Sequence, residues 1–213
     1  MEKTILCYGD SNTWGYVPDT GERFDELTRW PRRLASQLGQ GYYVVEAGLN
    51  GRTTAFDDPI EAGRNGLMAL NTYLSTHCPI DLIIVMLGTN DTKKFLNLPP
   101  YMISRGLESI IMQARQAQYG RNGQLPKLLI VSPVSIGVSG LNDHISEYFD
   151  ATSAEKANQL KNWYSQLAEQ YGCGFLDAAA VAKPSLEDGI HLEAEGHALL
   201  AETLAQKIRA LLA

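Results

Sequence analysis

Ile5-Leu6-Cys7-Tyr8-Gly9-Asp10-Ser11-Asn12-Thr13-Trp14-Gly15 decides the fold. Its four apolar residues stop abruptly at a Gly-Asp turn. A short unbroken apolar run bounded by turn residues reads as a strand buried on both faces, the pattern of a parallel sheet. Working outward, runs at 82–87 and 128–131 repeat that signature, and weaker ones stand at 43–46 and 174–176. Between them lie segments with helical spacing: 30–38 with Pro31 near its first turn, 66–76, 100–119, 153–171 and 193–212. Thr152 with Glu155 reads as a capping box at the head of the fourth.

Strands alternating with helices imply right-handed βαβ units and a mostly parallel sheet covered on both faces. The expected fold is a three-layer α/β/α sandwich with five strands in the order 2-1-3-4-5, a single domain over 1–213. Ligands in such sheets bind beyond the carboxyl ends of the strands, near the point where strand order reverses. Two long connections, 16–28 and 134–150, lack a clear period. The second carries Ile136, Val138, Leu141, Ile145, Tyr148 and Phe149, too apolar for a free linker, so it is expected to cover a pocket or pack on another subunit.

Composition bounds the function. The 213 residues are 45% apolar and 20% charged, the balance of an ordinary globular chain. Lys and Arg total 18 against 24 Asp and Glu, with no basic stripe, which argues against nucleic acid. No window approaches the ~20 apolar residues that span a bilayer, and no charged n-region leads into a long apolar one. No membrane role and a cytoplasmic location are therefore expected. Cys7, Cys78 and Cys173 form no C-x-x-C pair and read as buried apolar residues.

The chemistry-bearing residues follow the strands. Ser11 leaves the first strand into a turn, where a hydroxyl can be exposed and a backbone N–H aimed at an oxyanion. Gly51, in Gly48-Leu49-Asn50-Gly51-Arg52-Thr53-Thr54, can present a bare N–H. Asn90, in Gly88-Thr89-Asn90-Asp91, can point its amide into the crevice or simply hold a turn. Asp188-Gly189-Ile190-His191 spaces a carboxylate so that it reaches imidazole Nδ1 and leaves Nε2 for a nucleophile. His77 ends a helix, His144 lies in the long loop and His197 inside the last helix, where surface or packing roles are expected.

In these residues the sequence resembles the SGNH or GDSL hydrolases, whose four blocks occur here in order at Ser11, Gly51, Asn90 and Asp188 with His191. The resemblance implies Ser11 as nucleophile, His191 as general base and Asp188 as its orienting partner. It further implies an oxyanion hole of the Ser11 and Gly51 N–H groups with the Asn90 side chain. Ile-Leu-Cys-Tyr-Gly-Asp-Ser-Asn-Thr-Trp-Gly-Tyr, Gly-Arg-Thr-Thr and Met-Leu-Gly-Thr-Asn-Asp-Thr-Lys are similar to the arylesterase and acyltransferase branch, which includes oligomers acting on small acetyl esters. Members there carry a Trp at or near the position of Tyr16, with an acyl-transfer role in some, and Tyr16 departs from that pattern.

The implied activity is hydrolysis of short-chain esters through an acyl-enzyme, with some acyl transfer to alcohols, no metal and no cofactor, in a homo-oligomer. Trp14, Tyr16, Phe95 and Ile136 are the candidate substrate-pocket residues. Two alternatives stand beside this: a lysophospholipase or thioesterase with a long apolar channel, and a non-catalytic flavodoxin-like binding module holding a phosphate after the first strand.

Overall fold

The computed structural model describes residues 2–212. Five parallel strands, β1 (Lys3–Gly9), β2 (Tyr42–Gly48), β3 (Leu82–Met86), β4 (Lys127–Ser132) and β5 (Gly174–Asp177), lie in the order β2-β1-β3-β4-β5. The strand pleat sends alternate residues to opposite faces, so each apolar run serves two cores. Ile5, Cys7, Leu82, Ile84, Leu129 and Val131 pack with Trp30 and Leu34 of α2 (Trp30–Leu38) and with Leu200, Leu204 and Ile208 of α7 (Ala194–Leu211). Leu6, Tyr8, Ile83, Val85, Leu128 and Ile130 face the other way. They meet Leu70 of α3 (Gly66–His77), Leu107 of α4 (Pro100–Ala114) and Leu160 of α6 (Ala151–Tyr171). The layers and strand order match the sequence expectation.

Local details differ. The helix expected over 100–119 stops at Ala114, and a 3₁₀ turn at Ala117–Tyr119 follows. Tyr119 is buried and its carbonyl accepts from Ile80 N–H at 2.7 Å, so tertiary contact pulls the chain off the helix axis. The cap of α6 is two residues earlier than expected. Asp150 is the N-cap, its carboxylate accepting from Ser153 N–H at 2.9 Å, and the Ser153 hydroxyl also donates to Thr92 O at 2.8 Å. That interior anchor fixes the frame and leaves Thr152 in solvent. Only Cys7 is fully buried; Cys173 is half-buried and Cys78 exposed.

The connection 134–150 is ordered by a 3₁₀ turn, Val138–Gly140, and a one-turn helix, α5 (Asp143–Ser146), which carries His144. Ile136, Ile145 and Phe149 form a third small apolar cluster with Ile190 and with Ala154 and Ala157 of α6. This packing lays the connection over the carboxyl end of the sheet, beside the loop that holds His191. His197 is wholly buried in α7, where Trp30 N–H donates to its Nδ1 at 3.3 Å. Burial pushes its pKa down to about 3, which fixes it as a neutral packing residue.

Candidate active site

β1 ends at Gly9, where a Cβ would lie 2.0 Å from Thr13 Oγ1 and 2.8 Å from Met86 O. Glycine therefore lets the chain turn tightly into α1 (Ser11–Trp14), which Asp10 caps by accepting from Asn12 N–H at 3.1 Å. Ser11 stands at the head of that turn. Asn12 beside it joins the two ends of the chain: its Oδ1 accepts from Leu192 N–H at 2.9 Å and its amide donates to Ile190 O at 3.3 Å. His191 is bracketed by those two contacts.

The imidazole Nε2 of His191 lies 2.9 Å from Ser11 Oγ and its Nδ1 lies 2.5 Å from Asp188 Oδ2. The other oxygen of Asp188 accepts from the Ile190 and His191 N–H groups, both at 2.9 Å. Burial by itself would raise this carboxyl, but the hydrogen bonds from His191 and the two N–H groups outweigh it and hold Asp188 below the usual carboxylate range. An ionised Asp188 keeps the proton of a neutral imidazole on Nδ1, leaving Nε2 able to accept the proton of Ser11. The ring of Tyr16 stacks on His191, centroids 4.1 Å apart and planes 26° from parallel.

Gly51 has φ +75°, a left-handed conformation that favours glycine, and a Cβ there would also press on the movable tip of Glu61 at 2.7 Å. The N–H groups of Ser11 and Gly51 donate to no described residue. The Asn90 amide gives one hydrogen to Arg52 O at 3.1 Å and has a second to offer. Asp91, next in the chain, ties the two loops together: it accepts from Thr54 N–H at 3.0 Å and from the Thr54 hydroxyl at 2.5 Å.

A cavity of about 250 Å³ brings Ser11, Tyr16, Gly51, Asn90 and His191 together at the carboxyl ends of the strands. Trp14, Phe95 and Ile136 are not among its lining residues. Trp14 is tilted against Tyr16 at 6.5 Å beneath Arg23, Phe95 packs edge-on against Tyr148 at 6.1 Å, and Ile136 lies inside the third apolar cluster. All three support a wall from behind. Instead Ile145, Tyr148, Phe149 and Ile190 form the apolar side, while Asn50, Glu61 and Lys93 form a polar one. The ammonium of Lys93 is bonded to Asp58 Oδ2 at 2.7 Å. No motif marks these residues as cavity lining, although the connection 134–150 is expected to cover a pocket or pack on another subunit and Lys93 closes the segment Met-Leu-Gly-Thr-Asn-Asp-Thr-Lys.

The GDSL-like Lipase/Acylhydrolase family description matches residues 7–199. Among solved structures, a carbohydrate acetylesterase from Sinorhizobium meliloti is 36% identical, covers 99% of this chain and 100% of its own, and superposes with a TM-score of 0.92. The aryl esterase of M. smegmatis is 38% identical over 98% of this chain and 99% of its own, TM-score 0.91. An acetylxylan esterase of Xylanibacter ruminicola is 24% identical over 96% of this chain, which spans only 43% of the length of that relative. No helix among the described residues is long and apolar enough to cross a membrane. With the strand order, the block order and these likenesses in agreement, the chain belongs to the GDSL-like lipase/acylhydrolase family, and its domain is that of a carboxylic ester hydrolase.

Proposed function

We propose that the protein is a serine esterase that cleaves short-chain, acetyl-type esters through an acyl-enzyme on Ser11. The relay from Ser11 Oγ through His191 to Asp188, with contacts of 2.9 and 2.5 Å, carries this reading. His191 Nε2 takes the hydroxyl proton as Oγ attacks the ester carbonyl carbon. The resulting oxyanion is met by the Ser11 and Gly51 N–H groups and the Asn90 amide, donors already in place before charge develops. His191 then gives its proton to the leaving alcohol oxygen, and a water deprotonated by the same nitrogen releases the acid. An alcohol in place of that water would give acyl transfer.

The cavity sets the polar Asn50, Glu61 and Lys93 opposite a short apolar side of Ile145, Tyr148, Phe149 and Ile190, a lining that suits a small acyl group on a polar alcohol. The names of the arylesterase and acetylesterase relatives point the same way. Cytoplasmic residence suits the three free thiols. Assembly as a homo-oligomer would cover Val138 and Leu186, which stand 48% and 85% exposed.

An organophosphonate should leave one adduct, on Ser11, and Ser11→Ala should lose both the adduct and turnover. Aryl esters from acetate to palmitate should be cleaved fastest at two to four acyl carbons. Labelling elsewhere, or an active Ser11→Ala, would overturn the mechanism. A preference for eight carbons or more would instead favour the lysophospholipase or thioesterase alternative. A monomer by light scattering would remove the oligomer.

A further inference from the structure

Arg52 is 1% exposed, and none of the ion pairs among the described residues includes it. A buried guanidinium without a carboxylate partner is expensive to keep, so its contacts should explain its presence. Its Nη1 donates to Gly9 O at 2.8 Å and to Ala47 O at 2.5 Å, the carbonyls near the carboxyl ends of β1 and β2. Nη2 donates to the Tyr73 hydroxyl at 3.3 Å. The guanidinium carbon lies 4.2 Å from the ring centroid of Tyr8 and 5.3 Å from that of Tyr73, close enough for cation–π attraction to offset part of the lost hydration.

Each of the three groups assigned above to the oxyanion hole is reached from this one residue. Gly9, whose carbonyl it holds, lies two residues before Ser11. Gly51 is its immediate neighbour in the chain, and Arg52 N–H donates to Leu49 O at 3.1 Å, closing the turn that carries the Gly51 N–H. The Asn90 amide donates to the carbonyl of Arg52 itself. Those donors come from loops after three different strands, and nothing in the local sequence of any one loop sets its distance from the others.

We propose that Arg52 is the positioning residue of the oxyanion hole, locking the Ser11, Gly51 and Asn90 donors into one frame through Gly9 O, Ala47 O and its own carbonyl. The proposal rests on the reading of those three groups as oxyanion donors. Donors that must not reorganise as charge develops act mainly on the transition state, so loss of the lock should appear in kcat with KM nearly unchanged.

The test compares Arg52→Lys, Arg52→Met and Tyr73→Phe with the intact protein for kcat, KM, melting temperature and rate of Ser11 labelling by an organophosphonate. Lysine keeps a cation but has no second nitrogen to reach the Tyr73 hydroxyl and no planar face to lie over Tyr8, so kcat should fall roughly 10²-fold per folded molecule, KM should stay within about threefold, and phosphonylation should slow in step. Methionine should be worse than lysine. In Arg52→Ala, millimolar guanidinium should restore part of kcat where urea does not. Tyr73→Phe keeps the ring and removes one hydrogen bond to the guanidinium, so it carries the test if the Arg52 variants do not fold: a loss of about 3–10-fold in kcat alone is expected. Normal kcat in folded Arg52→Lys, or in Tyr73→Phe when no Arg52 variant folds, would overturn the assignment. So would losses accounted for wholly by the unfolded fraction. Ser11→Ala separates the two levels: activity surviving there means the reading of the site has failed, whereas an inactive Ser11→Ala with unaffected Arg52 variants means only this inference has.

Discussion

Asn90 can serve a turn, a transition state or both, and its two amide hydrogens separate the roles. One is spent on Arg52 O, which steadies the loops; the other is available to the cavity. Asn90→Ala should lower kcat by roughly 10²–10³, about 3–4 kcal/mol of transition-state stabilisation, while KM changes little. The lost hydrogen bond should cost only ~1 kcal/mol of folding stability. Asn90→Asp should be at least as damaging, since an ionised carboxylate would repel the oxyanion. Steady-state kinetics and thermal melts on both variants check this, and a large melting shift with normal kcat would assign Asn90 to structure. At this scale the meeting of Ser11, Asp188 and His191 was legible because each sits in a short motif at a turn after a strand. That Trp14, Phe95 and Ile136 stand behind the cavity lining was not legible, because apolarity beside a reactive residue does not tell which side of a turn a side chain occupies. Lys93 and Tyr148 were unreadable as partners, since the cavity they share is made only when loops after β3 and β4 meet.

Among the elements, α6 offers the sharpest test, because two cappings were available to the same sequence. The structure uses Asp150 with Ser153, not Thr152 with Glu155. Asp150→Ala should therefore cost ~1 kcal/mol and lower the melting temperature by roughly 2–4 °C in a chain of this size. Thr152→Ala, at an exposed position, should stay within about 0.5 kcal/mol of the parent. Differential scanning calorimetry on the pair decides it, and equal effects would contradict the observed cap. The strands were readable because burial on both faces leaves uninterrupted apolar runs that few other structures require. Helix ends were less so: Ser153 is anchored by Thr92 and the end of α4 is set by Tyr119 reaching Ile80, both contacts distant in sequence.

For the whole molecule, two buried carboxyls near the sheet's carboxyl edge make stability depend on pH. Burial raises Asp10 to about 6 and Asp91 to about 7, with the Thr54 hydrogen bonds opposing the rise at Asp91. Between about pH 4 and 7 the folded chain retains the Asp91 proton that the unfolded chain has released near its ordinary pKa of ~3.9. The unfolded state then binds fewer protons, and stability falls as pH rises through that window. Asp188, Asp58 and Asp81 are held low and act oppositely, stabilising above the ordinary carboxylate pKa and losing that contribution in acid. Asp91→Asn can still accept from Thr54 and never ionises. Relative to the parent it should gain stability from pH 5 to pH 8 in urea titrations; a difference constant across that range would refute the sign.

Ser11 and His191, in contact at 2.9 Å, are 180 residues apart in the chain, and Asn12 sutures the same two regions. Closing so long a loop is among the most entropically demanding steps available to a chain of this length, and the intervening sheet must be built before it is rewarded. On the proposed mechanism, turnover is thus an assay of topological closure. After denaturation it should return no sooner than the slowest global refolding phase, whereas a helical signal from α4 or α6, made of local contacts, can recover earlier. A protease nick that leaves the sheet intact but frees the His191 loop would silence the molecule without unfolding it.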